Sequence, residues 1–187
     1  MTQAINADAI VQSNLTYSTG HGYYSDPYKL ADVRPDHRRT LAWLTRWNQY
    51  LPSVDATLKL SYRYVHDSFG DRSHAVEIAW VEPLPYAFSV TPSLRYYTQS
   101  AADFYFGPPF GNGLEFGQPY TADTRLSAFG AFTPSVRIDK QFADGWSADL
   151  SFSYYEQRAS WRLGGGGSDG LLPFSARWIA LGIAKTF

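Results

Sequence analysis

The residues most suited to chemistry in this sequence are two histidines and two aspartates around one predicted hairpin tip. His66 and Asp67 precede Gly70, and Asp71 and His74 follow it. Imidazole and carboxylate groups are common zinc ligands, so His66, Asp67 and His74 form a weak candidate metal site. Their spacing matches no established metal-binding motif, and a solvated polar hairpin tip explains the same residues more simply. We therefore predict no metal ion and no cofactor.

The remaining reactive side chains do not indicate catalysis. The chain contains no cysteine, which removes both thiol chemistry and disulfide pairing. His21 and His37 have no serine or cysteine partner in an arrangement typical of a catalytic triad. The glycine run 164–167 is not followed by the lysine of a phosphate-binding loop. We predict that the protein is not an enzyme.

Charged residues instead recur at alternate positions of several segments, opposite large apolar residues. Such a period of two is typical of a β-strand whose two faces differ. In the segment that begins at Ala56, Leu58 and Leu60 alternate with Lys59 and Arg63. The charged residues predicted for the polar face are Arg46, Lys59, Arg63, Glu77, Arg95, Arg137, Asp139 and Asp149.

The opposite, apolar face carries the bulkier side chains. Trp43, Trp47, Trp80 and Trp146 lie there by parity, whereas serine, threonine and alanine accompany the charges. The interior of an eight-stranded barrel is just wide enough for side chains to fill, so small and charged residues fit it better than tryptophan does. We therefore predict that the polar face lines the lumen. Its charges should form a paired network, because an unpaired charge in a narrow lumen is very costly.

Eight alternating segments are separated by turn signals, and we predict that each is a strand. They begin near residues 9, 39, 56, 74, 88, 125, 146 and 173. Long connections at 20–38, 101–121 and 162–172 alternate with short turns such as those at Pro52 and Pro83. With both termini in the periplasm, every long connection falls outside the cell, which is the arrangement of a transmembrane barrel.

The last segment ends on an aromatic residue, Phe187. Outer-membrane barrels end in this way, and we predict that Phe187 lies in the lower aromatic girdle, where the last strand closes the barrel. For this segment alone, the alternative is an edge strand of a soluble β-protein. Aromatic residues make up 17% of the chain, and tyrosine is the most frequent with 14. Because aromatic rings with one polar end suit a membrane interface, they favour the membrane barrel.

Six polar residues fall near the predicted outer mouth of the barrel. They could bind a ligand there, but they could equally hold the long loops over the barrel, and we favour the second role. An aspartate before a proline is typical of a turn, which applies to the first of them. The six residues are Asp26, Arg34, Arg38, Tyr97, Gln99 and Asp103.

Four tracts within roughly the first hundred residues are long and rich in uncommon residues. They are 22–29, 34–38, 60–64 and 95–105. These tracts resemble the signature tracts of an uncharacterised family of bacterial outer-membrane proteins, known as a domain of unknown function. The resemblance is to the carboxy-terminal half of members about twice this length. It implies an outer-membrane protein of a Gram-negative bacterium and no established activity.

These patterns predict an all-β fold, namely an antiparallel up-and-down transmembrane β-barrel of eight strands. We expect residues 1–187 to form a single domain, with residues 1–8 disordered or belonging to an artificial start. The chain does not open with the basic start and apolar core of a signal peptide. For an exported protein, we expect that the targeting segment has been removed.

We predict a non-catalytic outer-membrane protein that acts as a surface scaffold, anchor or binding protein through its extracellular loops. Its partners would be the lipid bilayer, the barrel-assembly machinery during biogenesis, and a protein in the outer membrane. A net charge of −1 gives no reason to expect nucleic acid as a partner. One alternative is a pore or transport protein formed from a larger or oligomeric barrel. The other is a soluble β-barrel that binds a small ligand.

Overall fold

The computed structural model describes residues 1–28, 32–107 and 117–186. Nine β-strands account for most of this part of the chain. In chain order they are β1 (Thr2–Asn6), β2 (Ala9–His21), β3 (His37–Leu51), β4 (Ala56–Asp67), β5 (Arg72–Leu84), β6 (Phe88–Gln99), β7 (Phe129–Gln141), β8 (Trp146–Arg158) and β9 (Phe174–Lys185).

The strands form one antiparallel sheet in which each strand pairs with its neighbours in sequence, from β1 to β9. The predicted all-β, antiparallel, up-and-down arrangement is therefore confirmed. Among the described residues, four short 3₁₀ turns are present and no α-helix. No helix in this part of the chain has the length and apolar character needed to cross a membrane. β1 and β9 form the two edges and do not pair with each other within the described residues, so the sheet is open there.

The sheet has nine strands rather than the predicted eight, because the first residues form a strand of their own. β1 pairs with β2, with Thr2 opposite Gln12. The side chain of Asn6 accepts a hydrogen bond of 2.9 Å from the backbone N–H of Asp8 in the intervening turn. Thr2–Asn6 thus form a strand within the segment 1–8, for which disorder or an artificial start was predicted. A strand of 5 residues is too short for alternation to be visible in the sequence.

The register divides the side chains of the sheet into the polar face and the apolar face that the alternation predicts. On β5, Ala75 and Ala79 of the polar face are only 8% and 9% exposed. Val76 and Ile78 of the apolar face are 47% and 46% exposed. The polar face is therefore the more buried one, although the larger apolar side chains lie on the other.

The two ends of the sheet differ in their connections. One end, the short-turn end, joins neighbouring strands by no more than a few residues, and the other end, the loop end, has the long connections. The predicted alternation of short and long connections is thus present. At the short-turn end the connections are 7–8, 52–55, 85–87 and 142–145. At the loop end they are 22–36, 68–71, 100–128 and 159–173.

Candidate functional site

At the loop end, the connections pack on one another and form a small folded unit, which we call the loop cap. Val33 of the first long connection exchanges two backbone hydrogen bonds with Tyr120 of the second, at 2.8 and 2.7 Å. Thr121 extends this contact, since its N–H donates to Phe104 and its carbonyl accepts from Phe106, both at 2.9 Å. The cap comprises the described parts of residues 22–36, 68–71, 100–128 and 159–173.

The loop cap has a hydrophobic core of its own. Phe69 contacts the rings of Phe104 and Tyr24 edge to face, with ring centroids 5.1 and 5.8 Å apart. Ala102 and Leu126 complete the core, and Leu126, at 8% exposure, is its most exposed member. Buried large apolar side chains are the usual interior of a unit that folds in water.

Arg34 joins two segments of the loop cap through buried carboxylates. Its Nε donates to Asp32 at 3.0 Å and its Nη2 donates to Asp123 at 2.9 Å. The side chain of Arg34 is 12% exposed and that of Asp123 is 1% exposed. Burial raises the pKa of Asp32, but hydrogen bonds from Thr121 and Arg34 outweigh this effect and hold the pKa below its ordinary value. Arg34 therefore holds the loops together.

A second ionic contact lies at the hairpin between β4 and β5. The guanidinium of Arg38 donates to Oδ2 of Asp67, and Oδ1 of Asp67 accepts from the backbone N–H of Phe69 at 2.9 Å. Asp71 lies beside this pair, and its Oδ1 is buried without a hydrogen-bond partner among the described residues. Burial, followed by the negative charge of Asp67, raises the pKa of Asp71 to about 6. The ionised form of Asp71 is therefore poorly accommodated here.

Gln99 anchors the sheet to the loop cap. Its Nε2 donates to the carbonyl groups of Arg125 and Ser127, at 2.9 and 2.7 Å. Its Oε1 accepts a hydrogen bond of 2.7 Å from Oη of Tyr97. Tyr97 and Gln99 thus connect the end of β6 with a cap segment about 26 residues further along the chain.

Asp26 and Asp103 make contacts within the cap. The side chain of Asp26 accepts from the N–H of Tyr28 at 3.0 Å, as in the turn predicted for it. The carboxylate of Asp103 lies against Gly70, where an added Cβ atom would come within 2.1 Å of its Oδ1. All six residues predicted for the outer mouth therefore lie in the cap or contact it.

The three residues of the candidate metal site do not converge. Asp67 lies on the polar face, whereas His66 and His74 lie on the apolar face, because neighbouring residues of a strand point to opposite sides. Nδ1 of His74 is 2.8 Å from Oη of Tyr62, which is a contact within the sheet. In the described ranges of the chain, no group of three or more His, Cys, Asp or Glu residues could hold a metal ion.

The charged residues predicted for the polar face all lie on it. Arg137 donates from Nε to Asp139 at 2.8 Å, and its Nη2 is 3.3 Å from Asp149. These three residues lie towards the short-turn end and pair with one another. The members of the set that make no ion pair within the described residues are Arg46, Lys59, Arg63, Glu77 and Arg95.

On the apolar face, exposed aliphatic side chains lie between two groups of aromatic residues. Towards the loop end, the ring centroids of Tyr96 and Phe132 are 4.9 Å apart. Towards the short-turn end, the ammonium group of Lys140 lies 4.3 Å from the ring centroid of Phe88. Phe187, which was predicted for the lower girdle, lies outside the described residues. The aliphatic band between the two groups includes Ile78, Leu94, Ile138, Leu150, Ile179 and Leu181.

A pocket of about 700 Å³ lies between the loop cap and the polar face. Tyr155 and Gln157 of β8 line it together with Tyr97 and Gln99 of β6. In both strands the tyrosine Oη donates to the glutamine Oε1, at 2.6 Å in β8 and 2.7 Å in β6. Tyr155 and Gln157 were not predicted, although the repeated Tyr-x-Gln pattern is a sequence signal that could have identified them.

Comparison with known proteins supplies a family. A family model described as "Protein of unknown function (DUF3570)" matches residues 1–178. A search of curated proteins found no match, and a search of solved structures found none either. The match covers every strand from β1 to β8, part of β9 and all the connections of the loop cap. The predicted resemblance to an uncharacterised family is confirmed to this extent.

Proposed function

The chain belongs to the DUF3570 family of proteins of unknown function, and on this premise we propose that it is an outer-membrane β-barrel protein. In this proposal the apolar face contacts lipid, and the loop cap stands at the cell surface as a binding or anchoring surface. The observation that supports it is the exposed aliphatic band of the apolar face, in which Ile179 and Leu181 are 72% and 71% exposed.

A continuous band of exposed aliphatic side chains is costly in water. Removal of apolar surface from water contributes roughly 25 cal/mol per Å². Soluble monomers rarely expose contiguous apolar patches larger than a few hundred Å². Lipid acyl chains would cover this band and remove the cost, while the charged side chains of the polar face would stay in the aqueous lumen.

The dimensions of the sheet support the same proposal. β3 has 15 residues and β4 has 12, and the strands from β2 to β9 all lie within these limits. About 9–11 residues suffice for a tilted strand to cross the hydrocarbon core of a bilayer. The flanking aromatic groups and the collection of long connections at one end are also typical of outer-membrane barrels.

For the loop cap we propose binding or anchoring rather than catalysis. Several of its charged groups are engaged with one another, as Arg34 is with Asp32 and Asp123. Its hydrophobic core holds three connections in one shape. A rigid surface of this kind suits recognition, because little conformational freedom is lost when a partner binds.

A second candidate is a pore built from a larger barrel, and the open sheet favours it. Within the described residues β9 pairs only with β8, which leaves one side of its backbone without a strand partner. Backbone N–H and C=O groups must be paired inside a bilayer. Further strands, from the same protein or a second copy, would then complete the wall. Basic residues such as Arg63 and Arg95 would favour anions in the wider lumen.

A soluble ligand-binding barrel is the candidate that the geometry supports least. Such a barrel places its large apolar side chains inside and its charges outside. Here the large apolar side chains occupy the more exposed face, and small or charged side chains occupy the more buried one.

Two neighbouring residues on opposite faces test the membrane proposal. Because the chain has no cysteine, Leu150→Cys and Ser151→Cys each provide a single site for a nitroxide label. In phosphatidylcholine vesicles, we expect oxygen, which dissolves in acyl chains, to reach the label at position 150. A water-soluble nickel chelate should reach the label at position 151. Strong nickel contact at position 150, together with solubility without detergent, would argue for the soluble barrel.

Gel mobility and conductance separate the closed barrel from the pore. A closed membrane barrel resists SDS without heating, so unboiled and boiled samples should migrate differently. A mobility shift at monomer size without conductance in a planar bilayer supports the surface-binding role. A shift at a multiple of that size, with anion-selective conductance, supports the larger barrel instead.

A further inference from the structure

The pocket between the loop cap and the polar face has the volume of a ligand-binding site. Its volume is about 700 Å³, and small-molecule sites commonly have about 300–1,000 Å³. Four strands, β6 to β9, and two segments of the cap contribute to its lining. The lining residues used below are Tyr97, Gln99, Tyr105, Arg125, Phe129, Tyr155, Gln157 and Phe174.

Two Tyr-x-Gln pairs face this pocket from strands on either side of β7. Residues two apart in a strand lie on the same face, so each tyrosine stands beside its glutamine. The register places Ala131 of β7 between Tyr97 and Gln157. Ala131 is fully buried and small, and it leaves space between the longer side chains on both sides. The two Tyr-x-Gln pairs thus line opposite sides of the pocket, and the small Ala131 lies between them.

The hydrogen bonds inside the pairs determine which groups remain for a ligand. Each tyrosine Oη gives its proton to the neighbouring glutamine. The oxygen of Tyr97 is also in reach of the Ser73 side chain, whereas the oxygen of Tyr155 keeps a lone pair that can accept from a ligand. Nε2 of Gln99 is occupied by two carbonyl groups of the cap. Nε2 of Gln157 has no hydrogen-bond partner among the described residues, and it can therefore donate to a ligand.

The charges that line the pocket do not favour an ionic ligand. Among its described lining residues, Arg125 alone is charged. Its Nε donates to Asp123 at 3.0 Å, and its Nη2 lies 3.8 Å from Asp26. Both carboxylates offset its positive charge, so neither an anion nor a cation would find an unpaired counter-charge here.

The aromatic side chains supply apolar surface beside these polar groups. The ring of Tyr97 lies 5.8 Å from that of Phe129, and the ring of Tyr155 lies 6.1 Å from that of Phe174, measured between centroids. A purely apolar ligand would displace water from Nε2 of Gln157 and leave this donor without a partner, which is unfavourable. A ring with apolar C–H faces and hydroxyl groups at its edge would satisfy both kinds of surface.

From this lining we propose that the pocket binds a neutral saccharide. Sugar rings stack their C–H faces on aromatic rings, and their hydroxyl groups accept from Gln157 and donate to the phenol oxygen of Tyr155. Gln99 positions the site through its bonds to the cap. The proposal rests on the binding role proposed above for the loop cap, and it assigns that role a class of ligand.

A binding experiment with defined oligosaccharides tests this site. The protein is purified in an amine-oxide detergent, because glycoside detergents carry a sugar headgroup that would compete. Fluorescence titration uses maltotriose, cellotriose and N,N′,N″-triacetylchitotriose as neutral probes and trigalacturonic acid as the anionic one. We expect saturable binding of at least one neutral trisaccharide and much weaker binding of the anionic one. Preferential binding of the anionic probe would overturn the proposal.

Variants locate the binding and separate it from folding. Gln157→Ala should weaken binding at least tenfold, and Tyr155→Phe, which keeps the ring, should weaken it less. Gln141→Ala is the matched control, since Gln141 lies on the same face at the short-turn end, and binding should not change. Unchanged binding by Gln157→Ala overturns the assigned site.

The mobility shift of unboiled samples distinguishes the two proposals. If none of the neutral probes binds while the shift is intact, the saccharide inference fails and the membrane proposal stands. If the shift is absent and the protein is soluble without detergent while a neutral probe binds, the membrane proposal fails and the ligand assignment stands.

Discussion

The loop cap and the sheet are stabilised in opposite ways. In the cap, Phe69 and Phe104 are 2% and 7% exposed, whereas Ile78 and Leu150 of the sheet are 46% and 47% exposed. The cap therefore gains stability from its large apolar side chains in water, as soluble domains do. The sheet gains little stability from the same kind of side chain unless something apolar covers its apolar face. The comparison teaches that the fold of the chain buries the large apolar side chains of the cap and leaves those of the sheet exposed.

An ion pair of the cap is also more buried than one of the sheet. Arg34 and Asp123 of the cap are 12% and 1% exposed, and 89 residues separate them in the sequence. Arg137 of the sheet is 53% exposed and pairs with Asp139 only two residues away. The pair of Arg34 with Asp123 thus connects distant segments, while the pairs of Arg137 stay within β7 and the neighbouring β8. Substitutions in each unit should therefore act on that unit alone.

The largest expected effect is that of Arg34→Ala. This change removes the cation that the buried Asp32 and Asp123 share, and Asp123 keeps its pair with Arg125. Removal of one partner of a buried ion pair costs about 3–5 kcal/mol. Hydrogen exchange followed by mass spectrometry should show faster exchange in peptides of the cap and unchanged exchange in the strands.

Arg137→Ala is the matched control in the sheet. Because its side chain is 53% exposed, we expect a loss of about 1 kcal/mol or less. If Arg34→Ala accelerated exchange in the strands as much as in the cap, the two units would not be independent, and the comparison would fail.

A smaller effect is expected for Gly130→Ala, at the contact between β7 and the cap. A Cβ atom at Gly130 would come within 1.9 Å of the carbonyl oxygen of Trp161, so the backbone of the cap must move. Such overpacking typically costs about 1–3 kcal/mol. Thermal unfolding followed by tryptophan fluorescence should show a lower midpoint for the cap.

Gly182→Ala serves as the comparison within the sheet. There the added Cβ atom meets Oδ1 of Asp149 at 2.3 Å, which is the end of a flexible side chain that can turn away. The midpoint should fall less than for Gly130→Ala. Equal shifts would show that the contact between β7 and the cap is not tighter than the packing inside the sheet.

The smallest effect concerns Asp71 and depends on pH. The pKa of Asp71 is about 6 in the folded protein, above its ordinary value of 3.8. Asp67 and Tyr97 face it as groups of like charge when ionised, and Arg38 and His66 oppose them. The folded state binds the proton more tightly, so this contribution to stability is present below about pH 4 and is lost as pH rises through about 6.

Asp71→Asn removes the charge at nearly constant shape. At pH 8 we expect a higher thermal midpoint of the cap than in the parent protein, by a few degrees, and at pH 4 nearly equal midpoints. Asp169→Asn, at an exposed position of the same cap, should change neither. A shift of the same size at both pH values would rule out the charge of Asp71 as its cause.

The strands of the sheet were predictable because their signal is local. Alternation requires only neighbouring residues, and it located β4 at Ala56–Asp67, the bounds that the structure has. Other strands were displaced by a few residues, and β1 was missed because five residues show too little alternation. Closure into a barrel is a property of the two edges, and alternation contains no information about them.

The loop cap was predictable only in part. Arg34, Arg38, Gln99 and others were expected to hold the loops, on the basis of their position near strand ends. Their partners were not foreseen, since no local pattern relates Arg34 to Asp123 across 89 residues. Tyr155 belongs to a repeated pattern that could be read from the sequence, but its meaning becomes clear only when the structure brings both Tyr-x-Gln pairs to one pocket.

Trp161 holds one cap segment against the outer rim of the apolar face. Its carbonyl accepts a hydrogen bond of 2.7 Å from Oη of Tyr96, and its ring lies 5.3 Å from that of Phe132. In the proposed setting, this polar backbone segment cannot sink below the headgroups, so it fixes the depth of immersion. A thicker bilayer would have to thin around the protein, because the contact of Trp161 with the sheet sets the level of the membrane surface.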